Sequence, residues 1–262
     1  MHFLDYHAKI GTGYLHPGGE GLTEYMINEI KLTAQTRLLE LGCGTGASIV
    51  KIASNYKLNV CACDVSETMI NVARQRALFN RVSNRINFVK LEAGSSLPFS
   101  DKSFDVVFAE SVLAIVDKEE LLVLIKEVTR VLVDGGKFVT NDAIWKNTIS
   151  GEKITQINDA CVKDFGMIQS VPKPAVLKEW VEMFETAGLK VDKTINHITI
   201  KKRVGFVTDF YTSCRKFFSA FSINLTFNKI VFNSALRGRH KKDAESLDNY
   251  LFVMTKRKQH TE

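Results

Sequence analysis

The chain has 262 residues, 45% of them apolar and 24% charged, which is the composition of an ordinary soluble globular protein with length for one large α/β domain or two small ones. No run approaches the roughly 18 consecutive apolar residues of a membrane helix, and the opening MHFLDYHAKIG lacks the apolar segment of a secretory signal, so a cytoplasmic protein is expected. The net charge of +6 is uneven, with 14 Lys+Arg against 6 Asp+Glu in residues 191–262 and 21 against 23 elsewhere.

In chain order, residues 1–19 read as irregular and end at Pro17, Gly18 and Gly19. Leu22, Tyr25, Met26, Ile27 and Ile30 then recur at helical spacing. Thr36 to Leu41 is an apolar run of strand length, and residues 46–56 form a helix opened by glycines. LNVCACDV (58–65) predicts a strand, with Ser66 as N-cap of the helix ETMINVARQRALF. INFVKLEA (86–93) and FDVVFAES (104–111) predict two more strands. KEELLVLIKEVTRVL (118–132) is an amphipathic helix stopped by Asp134-Gly135-Gly136, and KFVTNDAIW (137–145) a fifth strand. Beyond residue 146 the pattern loosens. A helix over 176–189 ending at Gly188, a strand over 189–200, an aromatic-rich helical stretch over 203–235 and a last strand over 248–256 are expected.

Short apolar strands alternating with helices mean a parallel sheet covered on both faces. The expectation is a doubly wound α/β fold, a mostly parallel seven-stranded sheet with a helical insertion before the last strand. One domain spanning 1–262 is predicted: an N-terminal cap (1–35), a core (36–145) and a substrate-side region (146–262). The five cysteines have no repeated spacing and no C-x-x-C, so neither a disulfide framework nor a metal site is expected.

The chemistry is concentrated in LLELGCGTGASIV (38–50). A glycine loop directly after a first strand lets backbone approach a ligand at the carboxyl edge of the sheet. A dinucleotide fingerprint is G-x-G-x-x-G, and a phosphate loop has a lysine. Here Gly42, Gly44 and Gly46 alternate, no lysine follows, and Glu40 stands two residues before the first glycine. That carboxylate would repel a pyrophosphate and suits a cation. Asp64, at the end of the second strand, is placed to accept both hydroxyls of a ribose. Together these residues suggest an adenosyl ligand carrying positive charge.

LLELGCGTGAS with CDVSETMI, LPFSDKSFDVVFAES and RVLVDGGKFV resembles the class I S-adenosylmethionine-dependent methyltransferases. Within them it looks most like the small-molecule group that includes the quinone-biosynthesis enzymes. The resemblance is strong over about residues 15–145. It implies a Rossmann-like fold, S-adenosylmethionine as cofactor with S-adenosylhomocysteine as product, and Glu40 near the methionine amino group. Gly42 and Gly44 would floor the cofactor, with Cys43, Thr45 and Gly46 in the same loop. Asp64 would hold the ribose, Val65 and Met69 would pack on the adenine, and Glu110 and Ser111 would border the methyl group. The family often has an aspartate four residues before Leu-Pro-Phe; this chain has Ala93 there, so Glu92 or the backbone at Ala93 and Gly94 would meet the adenine amino group. YLHPGGEGLTEY (14–25) resembles a segment laid over the cofactor, with Tyr14 and Gly18 closing the pocket.

Transfer from a sulfonium mainly needs positioning and exclusion of water, and a base only if the acceptor loses a proton early. His16 and Asp142 are the candidate bases, with Tyr6, His7, His197 and Tyr211 less constrained. The expected acceptor is a small molecule, hydrophobic if Phe206, Phe210, Phe217 and the other aromatics of 203–235 form a lid. Basic residues across 201–258 also admit a membrane surface, which would make the protein peripheral, or a nucleic acid. RNA or protein methylation, and cofactor binding without catalysis, are the competing functions.

Overall fold

In the computed structural model, which describes residues 3–197 and 241–258, the apolar runs become seven strands. They are β1 (Leu38–Leu41), β2 (Val60–Asp64), β3 (Ile86–Lys90), β4 (Phe104–Glu110), β5 (Leu132–Trp145), β6 (Leu189–Asn196) and β7 (Leu247–Lys256). They lie side by side in the order β3-β2-β1-β4-β5-β7-β6. The first five pair in parallel, and β7 runs antiparallel between β5 and β6. The expected seven-stranded, mostly parallel sheet is therefore present. Strand order reverses between β1 and β4, and that is where a ligand crevice opens in such sheets.

All four residues of β1 are buried, because a central parallel strand is covered on both faces. Successive side chains point to opposite faces. Leu39, Val107, Phe138 and Phe252 pack with α5 (Lys118–Val131) and α7 (Leu177–Thr186) through Leu121, Ile125, Trp180 and Phe184. Leu38, Val60, Phe108 and Val139 pack with α2 (Gly19–Ile30), α3 (Ala47–Tyr56) and α4 (Glu67–Phe79) through Met26, Ile49, Ile52 and Ala77. Ser66 caps α4 as expected, its hydroxyl accepting from the Met69 amide at 3.3 Å.

Three local expectations need correction. Residues 3–9, read as irregular, form the short helix α1 (Phe3–Lys9). The stretch after 146 contains α6 (Gly151–Phe165), capped by Ser150 and stopped by Gly166 at φ +77°, with Ile154, Ile157, Asn158 and Cys161 on its buried face; a polar residue among three apolar ones masked the period. Asp134-Gly135-Gly136 does not separate helix from strand. It is a bulge inside β5, where pairing with β4 shifts between Phe104 and Val106. A side chain at Gly136 would meet the Val133 carbonyl at 2.9 Å, so only glycine fits the kink.

Gly188, after α7, has φ +89° and donates to the Glu185 carbonyl at 3.1 Å. An added Cβ would meet only Thr129 at an ordinary 3.6 Å. Gly188→Ala is therefore expected to cost about 1–2 kcal/mol, the left-handed backbone penalty alone, read as a shift of the urea midpoint at constant slope. The expected insertion over 203–235, with Tyr211, lies outside the described residues. No helix among them is long and apolar enough to cross a membrane.

Candidate cofactor site

The loop after β1 turns away from the sheet through three left-handed glycines, Gly42, Gly44 and Gly46 at φ +68°, +51° and +75°. Gly46 lies against α4, where a Cβ would fall 2.7 Å from that of Ala73. Gly44 differs, because nothing lies within 4 Å of where its Cβ would be. This is the bare, open side of the loop. Its amide donates to Asp64 Oδ2 at 2.8 Å, while Asp64 Oδ1 accepts from the Ser66 amide at 2.8 Å. Burial pushes the Asp64 carboxyl up against the pull of the Ser66, Gly44 and Val65 amides and of Lys90.

Two further carboxylates follow: Glu40, close enough to interact with Asp64, and Glu110, close enough to interact with Glu40. Glu40 is 3% exposed, and its Oε2 is buried without a hydrogen-bond partner. Burial, then the charges of Glu110 and Asp64, push its carboxyl well above the usual range, opposed by the Ile49 amide. Glu110, at the end of β4, is saturated instead. Its Oε1 accepts from Thr23 Oγ1 at 2.5 Å and faces His16 Nε2 at 3.1 Å, and its Oε2 accepts from Ser48 Oγ. Burial alone would raise Glu110, but the adjacent His16 and the three hydrogen bonds hold it below the usual range.

The N-terminal arm lies across the same loop. The Thr12 carbonyl accepts from Thr45 Oγ1 at 2.7 Å. Arg76, 1% exposed, reaches from α4 to the carbonyls of Thr45 (2.9 Å) and Gly11 (3.0 Å). Gly18 packs so closely on His197 that a Cβ would sit 2.5 Å from its Nε2. Tyr14 takes a left-handed φ of +50° and meets the His16 ring edge-on at 6.3 Å.

Other expected residues are scattered around this centre. Cys43 is buried, with its thiol pushed well up by burial and then by Glu40 and Asp64. Val65 is 56% exposed and Met69 3%. Ala93 and Gly94 are exposed, and Glu92 faces Lys90 at 3.4 Å on the surface rather than turning into the site. Ser111 holds φ +54° while its amide donates to the Asn141 carbonyl at 2.8 Å and its hydroxyl meets Asn141 Nδ2 at 3.4 Å.

The two candidate bases are both committed to partners inside the chain. His16 Nε2 faces Glu110 and Thr23, and its Nδ1 faces the Pro17 carbonyl at 3.3 Å. Asp142 is fully buried, with Oδ1 accepting from the Ala114 amide at 2.9 Å and Oδ2 from Thr140 Oγ1 at 2.7 Å. Burial raises its carboxyl to about 7, against the bonds from Thr140, Ala114 and Leu113. A raised acid favours the fold below its unfolded value and loses that contribution as pH climbs through about 7. Asp142→Asn is thus expected to gain stability relative to wild type between pH 5 and 8, measured by paired thermal melts.

Thr12, Thr23, Ser48 and Arg76 were not singled out from the sequence. Arg76 alone left a signal there, as a charged residue on the face of α4 that Met69, Val72 and Ala73 bury. Among the described residues no group of three or more His, Cys, Asp or Glu is arranged to hold a metal ion.

The glycine loop, the buried acids and the sheet order coincide with a family match. Residues 38–136 match the model of a methyltransferase domain. The chain thus carries the signature of a methyltransferase domain over residues 38–136. It is similar to Methyltransferase GfsG of Streptomyces halstedii, 27% identical over 176 residues, covering 67% of this chain and 60% of the relative. It is also similar to 27-O-demethylrifamycin SV methyltransferase of Amycolatopsis mediterranei, 34% identical over 122 residues, 46% of this chain and 43% of that one. The chain therefore spans less than two thirds of the length of either relative. In fold it resembles the Haemonchus contortus phosphoethanolamine N-methyltransferase 2 structure in complex with S-adenosyl-L-methionine, with a TM-score of 0.67 at 20% identity over 98% of this chain and 57% of that one. The methyltransferase domain's own residues fit that cofactor. Glu40 has a buried oxygen without a partner, and Gly44, bonded to Asp64, has open space where its Cβ would be.

Proposed function

We propose that this protein transfers the methyl group of S-adenosylmethionine to a small molecule. The observation that carries the proposal is the unpartnered buried oxygen of Glu40, set near Asp64 and Glu110 beside the open face of Gly44. An anionic hollow of this kind rejects a pyrophosphate and suits a ligand with ammonium and sulfonium charges. The cofactor, when bound, supplies an activated methyl group whose displacement needs little further chemistry from the protein.

In this proposal Glu40 receives the amino group, the backbone around Gly44 the methionine portion, and Asp64 the ribose. Val65, exposed at the mouth, is positioned to cover an adenine. The arm over residues 7–19 excludes water, and the rate advantage comes from orientation, which supplies up to roughly 7–11 kcal/mol in well-aligned reactions. With His16 and Asp142 both engaged, no step is assigned to either as a base.

The matched region ends at residue 136 and covers the cofactor half, so the acceptor is argued separately. The relatives named for rifamycin and phosphoethanolamine acceptors support a small molecule. The aromatic content of 203–235 in the sequence favours an apolar one of the quinone-precursor kind, met in the cytoplasm or at a membrane surface.

Calorimetry with S-adenosylmethionine, S-adenosylhomocysteine and NAD tests the cofactor, with binding of the first two expected and binding of NAD alone overturning the proposal. Transfer of labelled methyl from the cofactor into a size- and polarity-fractionated cell extract tests the acceptor. Label in small organic-soluble products is expected. Label confined to RNA or protein replaces the acceptor class, and cofactor binding without transfer to any fraction defeats the enzymatic function.

A further inference from the structure

We propose that Glu110 is the fixed half of a latch whose moving half is the imidazolium of His16, and that this pair holds the N-terminal arm closed across the glycine loop. One carboxylate joins four elements. Glu110 ends β4, Thr23 belongs to α2, Ser48 to the first turn of α3, and His16 to the arm itself. Ser48 sits two residues past Gly46, so the contact that closes the arm also reaches the loop proposed to hold the cofactor.

The geometry calls for a charged ring. His16 Nε2 lies 3.1 Å from a Glu110 oxygen and 3.1 Å from Thr23 Oγ1, whose own proton is directed to that same carboxylate. Nδ1 lies 3.3 Å from the Pro17 carbonyl. Both ring nitrogens thus face acceptors, and only the doubly protonated imidazole donates on both sides. Glu40 on β1 lies close enough to Glu110 for the two carboxyls to interact. Other charged or titratable groups against the arm include Arg76 on the Gly11 carbonyl, Tyr14 edge-on to the His16 ring, His197, packed on Gly18, and His7, whose Nδ1 meets Thr12 Oγ1 at 3.0 Å.

His16 and Glu110 are therefore positioning residues, acting on the reaction through the arm. Burial disfavours the His16 charge, but the charge of Glu110, the hydrogen bond to Glu110 and the hydrogen bond to the Pro17 carbonyl outweigh it and keep the ring above its ordinary value. A histidine raised in this way gives its full contribution below about 6.5, the unfolded value, and loses it as pH rises through the folded value. Closure should weaken on the alkaline side.

The test is hydrogen exchange of the Thr12 and Gly19 amides, which donate within the arm to His7 and His16 carbonyls at 3.0 and 3.2 Å, with strand amides of β1 and β4 as controls. In the free wild-type protein, protection of the arm, corrected for the intrinsic rate, is expected to fall at least 10-fold from pH 6 to 9.5 while the controls hold. In His16→Gln and Glu110→Gln, arm protection should be low at pH 6 and flat with pH. A flat wild-type profile overturns the latch, as does a pH dependence that survives in His16→Gln, which would trace to His7 or His197. Should Glu110→Gln fail to fold, NMR titration of the His16 ring in wild type decides, because a midpoint at or below 6.5 overturns the proposal. The effect of the latch on the cofactor rests on the methyltransferase function and is read separately. S-adenosylhomocysteine affinity should fall more steeply over the same pH range in wild type than in His16→Gln, where only the ligand's own amino group loses its proton. A chain that binds no such ligand fails the proposed function, and the exchange result still decides the latch.

Discussion

Asp64→Ala is expected to weaken S-adenosylmethionine binding by about 100-fold or more. Two hydrogen bonds from ribose hydroxyls to a carboxylate contribute about 1.5–3 kcal/mol each, so their joint loss exceeds ~2.7 kcal/mol, a factor of about 100. The site makes the loss local. Asp64 is 9% exposed at the end of β2 and already joins the Gly44 and Ser66 amides, each at 2.8 Å. Alanine therefore removes the proposed ribose acceptor and also unties the open side of the glycine loop. Asp64→Asn separates the two effects, because its carbonyl oxygen can still accept one amide while its NH2 faces the other. Calorimetry should place Asn between wild type and Ala, with circular dichroism confirming an intact fold in all three. Unchanged affinity in Asp64→Ala would make Asp64 a loop brace and remove it from the ligand.

Arg76→Ala is expected to destabilise the protein by about 3 kcal/mol or more. The guanidinium is nearly fully buried and donates to the carbonyls of Thr45 and Gly11 and, at 3.4 Å, to Thr45 Oγ1. Alanine leaves those acceptors buried without their donor, at about 1–3 kcal/mol for each group, and leaves a void where the side chain packed. For a chain of this size that is a fall in Tm of about 6–12 °C. The damage should be greatest in the arm, so limited proteolysis should cut among residues 7–19 before the core opens. Arg76→Lys should recover only part of the loss, since one ammonium cannot reproduce the planar fork that spans both carbonyls. A variant with unchanged Tm and an equally resistant arm would show that the arm is held by other contacts.

The parts of the fold legible from sequence were those dictated by local physics. Apolar runs such as FDVVF became buried strands, and alternate glycines after LLEL marked the loop. What escaped were features that only tertiary neighbours define. Asp134-Gly135-Gly136 looks like a helix stop until β4 is beside it and the two ladders fall out of register. Thr23 and Ser48 look like ordinary helix residues until Glu110, 87 and 62 positions later, accepts from both. The same partners explain why His16 resembled a base. An isolated histidine beside glycines offers a free nitrogen, whereas here both nitrogens are spoken for. Glu92, in the sequence one of two alternatives for the adenine amino group beside the backbone at Ala93 and Gly94, has its side chain at the surface facing Lys90.

The 65-residue gap between Gly11 and Arg76, and the 87-residue gap between Thr23 and Glu110, bear on biosynthesis. The arm leaves the ribosome before anything it can dock on, and its anchor on β4 emerges only after β1 to β3 have been made. Contacts so distant along the chain form late, after loop closure has been overcome. The segment made early is thus completed only once residue 110 has emerged, and nascent chains halted short of it should display the arm to proteases and chaperones.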